Sequence, residues 1–310
     1  MNPITNSLRI LLSVDSRLFM SKSEYIAELA TLLPYIFSKQ PIELIKYKES
    51  AHKDFIALPI NAGIKITDDF NSDVIEPATV AYHRISGVIL SDENYRFSTK
   101  RLEQNLLQAE ANENIASHFL HITSGGGEAW YIDRLAETMR SLSKPTFAHI
   151  EKVAASAGYY IASQTSHISA STPFDIVGSI GVMVGFMDIK PMLSKWGINF
   201  IEEYATCSDL KNKKYTDLAN GKPEQYIEEE LNPVRDKFVA DVKRTRKEIA
   251  RLGNDHPILR GETYHAENAV ENGLIDTIEP IGSAIQRAYI AGVEWDKKKN
   301  ERKKALQTLH

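Results

Sequence analysis

The stretch Val153-Ala154-Ala155-Ser156-Ala157-Gly158-Tyr159-Tyr160-Ile161-Ala162 places one hydroxyl among small residues where an apolar strand turns into a helix. A junction of that kind presents a nucleophile. Upstream, the small-residue turn Thr123-Ser124-Gly125-Gly126-Gly127 follows the apolar run Phe119-Leu120-His121-Ile122 and precedes a helix. Two such turns can build one acyl-transfer site.

Working outward, strand and helix patterns alternate from Thr79 onward, which is the arithmetic of an α/β fold. Strands are expected at 80–89, 115–122, 147–153, 168–170, 180–187, 199–204 and 274–278, and helices at 99–111, 157–164 and 192–196. Ile132, Leu135, Ala136, Met139 and Leu142 share one face at helical spacing, so 128–143 reads as an amphipathic helix ended by Pro145. Pro233 opens a long charged helix whose stripe Phe238, Val242, Thr245, Ile249 and Leu252 is to be buried in the same domain or against another subunit. Helices at 266–272, capped by Gly273, and at 281–292 complete the pattern.

Four regions follow. Residues 1–50 read as a helical accessory segment, with Ile26, Leu29, Leu32, Leu33 and Ile36 at helical spacing. Residues 51–78 read as a linker with a strand at Phe55–Leu58, 79–292 as the main domain, and 293–310 as a basic, solvated tail.

The 310 residues, 43% hydrophobic and 25% charged, supply ample material for a core, and a net charge of −4 exerts no overall pull toward nucleic acid or an anionic membrane. A single cysteine, Cys207, rules out an intramolecular disulfide and a Cys-rich zinc site. No window reaches the roughly 18 apolar residues of a membrane span, and the N-terminus lacks the design of a signal peptide. A soluble, cytoplasmic protein is expected, with no metal and no cofactor.

A serine hydroxyl barely ionises at neutral pH, so Ser156 needs a base within hydrogen-bond reach. None of the nine histidines sits in a recognisable catalytic setting; His121, in a buried-looking strand, and His167 read as structural or surface residues. Lysine is the other candidate. The run Cys207-Ser208-Asp209-Leu210-Lys211-Asn212-Lys213-Lys214-Tyr215 offers three lysines. A free lysine is only about 0.04% neutral at pH 7, so a lysine base has to be desolvated at a cost of about 4 kcal/mol. The oxyanion formed on attack needs donors, and the N–H groups of Gly126 or Gly127 together with that of Ala157 are positioned for it, next to the positive end of the following helix. A phosphate cradle is the competing use of such a turn, but neither P-loop nor dinucleotide-loop spacing is present.

The chain resembles the signal peptide peptidase A family of serine peptidases, whose fold is shared by the Clp protease proteolytic subunit and the crotonases. The resemblance covers about residues 79–290. It is carried by Ile85-Ser86-Gly87-Val88-Ile89, Ser124-Gly125-Gly126-Gly127, Ala155-Ser156-Ala157-Gly158-Tyr159-Tyr160, Gly178-Ser179-Ile180-Gly181-Val182 and Lys195-Trp196-Gly197-Ile198. The closing run from Tyr264 to Asp276 adds to it. It implies a spiral of β-β-α units and a Ser/Lys dyad of Ser156 and Lys211, with Lys213 and Lys214 as rivals because Ser208 stands where the family motif has glycine. It also implies that Ser179 orients the lysine amine. Rings of identical subunits, with serine and lysine drawn from neighbours, are a further implication. The N-terminal segment looks similar to the openings of tailed-phage head-maturation proteases, which implies capsid or scaffold proteins as partners and a virion or prohead location. The alternative role within the same chemistry is degradation of signal-peptide-like polypeptides. A crotonase-like acyl-CoA enzyme and a non-catalytic scaffold are the alternatives outside it.

Overall fold

A run buried on both faces belongs at the centre of a covered sheet, and β4 (Ile115–Ser124) is such a run: His118, Leu120 and Ile122 on one side, Ala116, Ser117 and Phe119 on the other, are all buried. The computed structural model describes residues 18–19, 55–58, 75–91, 97–186, 188, 190–199 and 201–307. In it β4 lies inside a sheet of order β10 (Thr277–Ile278), β7 (His167–Ala170), β6 (Thr146–Ala155), β4, β3 (Thr79–Ser86), β2 (Phe55–Leu58). All neighbours on this path are parallel except β2, which runs antiparallel to β3. One face, with Ile85, Leu120, Ile122, Ala148 and Ile150, packs under α1 (Thr99–Ala111), α2 (Ile132–Ser141), α3 (Ala157–Ser163) and α6 (Asn232–Thr245). The other face sets Val80, Phe119 and Phe147 against Ala284 and Ala288 of α8 (Ile281–Gln307). This mixed α/β architecture agrees with the fold class expected from the sequence.

The feature that aims the site is a bend in β6. Its first half pairs with β7 from Phe147 to Ile150, and its second half pairs with β8 (Ile176–Gly178) from Val153 to Ala155. Between the two, Lys152 adopts φ 71° and donates its N–H to Asp175 Oδ1 at 3.2 Å. The register against β4 shifts at the same place, from Ile122 opposite Ile150 to Ser124 opposite Ala154. β6 therefore changes its partner on one side from β7 to β8 before it reaches Ser156, while Ala154 still lies opposite Ser124 of β4. β9 (Thr263–His265) closes this branch antiparallel to β8.

Several expectations needed correction. The helix expected at 128–143 begins only at Ile132, because Gly127–Glu128 is drawn into a short strand, β5, and Tyr131 takes φ 68°. The helix from Pro233 breaks at Arg246 (φ −107°, ψ 100°), whose guanidinium holds Gly273 O and makes a bidentate pair with Asp276 at 3.0 and 2.8 Å; α7 (Lys247–Ala250) resumes beyond it. The stripe on α6 and α7 packs inside this chain, with Phe238, Val242 and Ile249 in the main core. Among the described residues no strand forms over 180–187 or 199–204. Ile201 there is 83% exposed, so this apolar run meets no neighbouring strand among the described residues. The last helix runs to Gln307 and takes the basic segment with it; Gly292 allows the close approach, since a methyl there would lie 2.9 Å from Ala116 Cβ. The helical pattern of residues 1–50 lies outside the described residues except for β1 (Leu18–Phe19), which is extended.

The short helix α3 is buried along its whole length and tied down at both of its tyrosines. Tyr159 donates its hydroxyl to Leu274 O at 2.8 Å, and Tyr160 stacks on Phe238 with ring centroids 4.4 Å apart and donates to Asp241 Oδ2 at 2.5 Å. Asp241 is fully buried; burial alone would raise its carboxyl, but hydrogen bonds from Lys237 and Tyr160 and the nearby Arg140 hold it below the usual range. Replacing Asp241 by Ala leaves the Tyr160 hydroxyl without an acceptor and is expected to lower stability by about 3 kcal/mol, read as a reduced midpoint in urea unfolding.

On the sheet, His83 Nε2 meets His118 Nδ1 at 3.2 Å, and His118 Nε2 meets Glu110 Oε2 at 3.1 Å. Burial lowers both histidines. Burial would raise Glu110, yet hydrogen bonds from His118 and Ser143 bring it down from its ordinary 4.5 to about 2. A carboxyl lowered in the folded state contributes stability that is complete above pH 4.5 and lost as the pH falls toward 2. The Glu110→Gln variant should therefore show a shallower loss of stability than the wild type across that window, measured by thermal unfolding at stepped pH.

Candidate active site

Ser156 stands between the end of β6 and the start of α3 with φ 55° and ψ −121°, a conformation that costs a side-chain-bearing residue about 1–3 kcal/mol. Its N–H donates to Gly178 O at 2.8 Å, and its C=O accepts from Tyr160 N at 2.8 Å. With both backbone groups held, the side chain is pushed out of the line of strand and helix. Ser156 is 3% exposed, and its hydroxyl does not cap the helix behind it. The small neighbours have a steric cause. A Cβ on Gly158 would lie 2.8 Å from Ser124 O, so the glycine turn rests directly on the first turn of α3.

The glycine turn is held as tightly. Ser124 Oγ donates to Gly87 O at 2.6 Å and accepts from Gly126 N at 3.1 Å. Gly126 adopts φ 115°, its C=O accepts from Ile89 N at 3.0 Å, and Glu128 N donates to Ile89 O at 2.8 Å. Gly127 admits no other residue, because a Cβ there would sit 1.9 Å from Ile89 O. β1 lies along β5 in antiparallel register, Phe19 opposite Gly127 and Leu18 opposite Glu128. Of the donors expected from the sequence, Gly126 N–H is thus engaged inside the turn. Ala157 opens α3, where the first N–H groups have no acceptor within the helix.

Ser179 lies one residue past the carbonyl that holds Ser156, with φ 57° and its own N–H donated to Glu262 O at 2.7 Å. Lys211 is not brought to Ser156: no hydrogen bond joins them, and the lysine sits exposed in the turn before α5 (Lys213–Ala219). Its two rivals are both engaged, Lys213 with Asp217 and Lys214 with Glu230, whose hydrogen bond raises the Lys214 amine. No described residue between Ile180 and Tyr226 is buried, α4 (Lys190–Lys195) included; Val182 rests against the main core and Tyr215 meets Tyr226 with ring centroids 5.4 Å apart, but Lys211 stays exposed.

No histidine hydrogen-bonds Ser156 among the described residues. His121 contacts the Tyr82 hydroxyl and Glu151, His167 contacts Thr277 at 3.1 Å, and His149 contacts Ser169 at 2.8 Å, with burial lowering His149 to about 4. The same residues include no cluster of three or more His, Cys, Asp or Glu suited to a metal ion, and no helix long and apolar enough to cross a membrane. Ser124 is the residue that the sequence pattern undervalued. The visible signal was a hydroxyl directly before a run of three glycines.

Comparison with known proteins shows similarity over the region that carries Ser156. Residues 138–293, which include both Ser156 and Lys211, match the model of peptidase family S49. Protease 4 of Haemophilus influenzae is 25% identical over 68% of this chain and 34% of its own length. An SppA-type protein of Enterococcus faecium is 27% identical over 63% of this chain and 58% of its own, and a SohB-type protein of Buchnera aphidicola is 31% identical over 50% and 44%. The chain thus spans between about a third and three fifths of the length of these relatives. With a family match that extends over half of its residues and takes in the serine junction, the chain belongs to peptidase family S49.

Proposed function

We propose that this chain is a serine endopeptidase with Ser156 as nucleophile and Lys211 as base. The observation that carries the reading is the backbone of Ser156, held at φ 55° and ψ −121° by Gly178 and Tyr160 beside a glycine turn. Neutral Lys211 takes the hydroxyl proton as Ser156 Oγ bonds to the scissile carbonyl carbon, and the backbone N–H groups of Gly127 and Ala157 hold the oxyanion. The C–N bond then breaks, the lysinium proton goes to the leaving amine, and water hydrolyses the ester to restore Ser156. Ser179 orients the amine. The antiparallel seat of β1 on β5 supports an extended polypeptide as substrate, since that edge accepts a chain in strand form.

The dyad is proposed to form between copies in a homo-oligomeric ring. Support comes from the 181–225 stretch, where Trp196, Ile198, Ile201 and Leu210 are all more than half exposed and the rival lysines are already paired. A neighbouring subunit covering this stretch would supply the desolvation that a lysine base requires. Substrates with small or apolar residues near the cut suit walls built of Gly and Ala. Capsid or scaffold proteins in a prohead, or signal-peptide-like remnants in the cytoplasm, are the proposed sources.

Casein hydrolysis by Ser156→Ala and by Lys211→Ala is expected to fall at least about 1,000-fold, while Lys213→Ala and Lys214→Ala stay within about threefold of wild type. Mixing the two inactive variants under conditions of subunit exchange should restore a measurable fraction of the rate. A mixture that stays inactive although exchange is demonstrated would place both members of the dyad in one chain. Full activity in Ser156→Ala would instead favour a crotonase-like enzyme.

A further inference from the structure

One hydroxyl decides which N–H of the glycine turn faces a substrate. Ser124 is 1% exposed and uses both sides of its oxygen: the proton goes to Gly87 O at 2.6 Å, and a lone pair takes Gly126 N–H at 3.1 Å. Gly87 in turn donates its N–H to Thr123 O at 3.0 Å, so the hydroxyl ties the end of β4 to the residue that follows β3. The next peptide is fixed by Gly126 O, which accepts from Ile89 N at 3.0 Å. Among the described residues every peptide is trans, so in the plane shared by Gly126 C=O and Gly127 N–H the two groups point in opposite directions. Gly127 N–H therefore points away from Ile89, toward the edge along which β1 runs.

We propose that Ser124 is a positioning residue for the peptidase reaction: by binding Gly126 N–H it removes a competing donor and commits the turn to Gly127 N–H as its single oxyanion donor. The proposal rests on the serine peptidase reading of this site. Without the hydroxyl, Gly126 N–H is buried with no acceptor, and a glycine-rich turn relieves that by rotating the 125–126 and 126–127 peptides. Gly127 N–H then loses its aim. The interaction lost is one made with the oxyanion and not with the bound substrate, so its removal acts on kcat.

The test uses the full-length chain and a fluorogenic peptide that the wild type cleaves. Ser124→Ala should lower kcat about 100-fold with KM within about threefold, and Ser124→Cys, which keeps a weaker donor and acceptor of similar size, should fall between Ala and wild type. A peptide boronate, whose oxygen occupies the oxyanion position, should lose affinity in Ser124→Ala by the same factor as kcat/KM, whereas the matching product peptide should bind as to wild type. A Ser124→Ala enzyme with kcat within threefold of wild type overturns the proposal. So does equal loss of boronate and product affinity in either variant, because a merely structural hydroxyl would weaken both together. If Ser124→Ala does not fold, Ser124→Cys carries the test, and a wild-type kcat there is equally decisive. Failure of the underlying reading looks different: the wild type itself would neither cleave peptides nor react at Ser156 with a fluorophosphonate.

Discussion

The approach of the Ser124 carbonyl to Gly158, too close to admit a methyl group, is the contact on which the rest of the site depends. It joins two turns that come from different strands and are more than thirty residues apart in the chain. Everything around it limits how far either turn can move. On one side β6 bends at Lys152, changes partner from β7 to β8, and delivers Ser156 to a carbonyl of Gly178. On the other, Ser124 and Ile89 hold the glycine turn from both ends. A strained residue persists only where its surroundings over-determine it, and here both backbone groups of Ser156 are hydrogen-bonded while the helix behind it is clamped by two buried tyrosines.

Electrostatics divides the titratable groups into those that build the fold and those left for chemistry. His83, His118 and His149 of the sheet are buried and pushed toward the neutral form, and they pair with a hydroxyl, a carboxylate or one another. They serve as hydrogen-bonding spacers between strands, and among the described residues no histidine hydrogen-bonds Ser156. Asp241 and Asp276 are likewise structural, each satisfied by an arginine or lysine and each fastening a helix near the serine junction. The lysines of the 211–214 run behave differently. Two are paired with carboxylates, and none of the three is buried.

Legibility followed the range of the interactions involved. Helix 99–111 was readable to its ends because its causes are local: Ser98 caps it by accepting from Arg101 N, and its apolar residues repeat at helical spacing. The runs at 115–122 and 147–153 were readable as strands, though each extends further, because continuous burial needs no knowledge of the partner. The break at Arg246 was not readable, since its cause is a carboxylate thirty residues downstream. Nor was the late start of α2, where an isolated bridge to Ile89 pulls Gly127 into a strand against the helical pattern that follows.

What the amino-acid sequence determined by itself was the class of fold and the positions of the serine junction and the glycine turn, because each is written in local composition and spacing. What only the tertiary structure decided was orientation. Which glycine N–H points outward depends on trans peptides anchored by Ser124, Gly87 and Ile89, residues from three separate segments. The placement of Lys211 was decided at that level too: among the described residues the strands expected at 180–187 and 199–204 do not form, and Lys211 lies exposed with no hydrogen bond to Ser156.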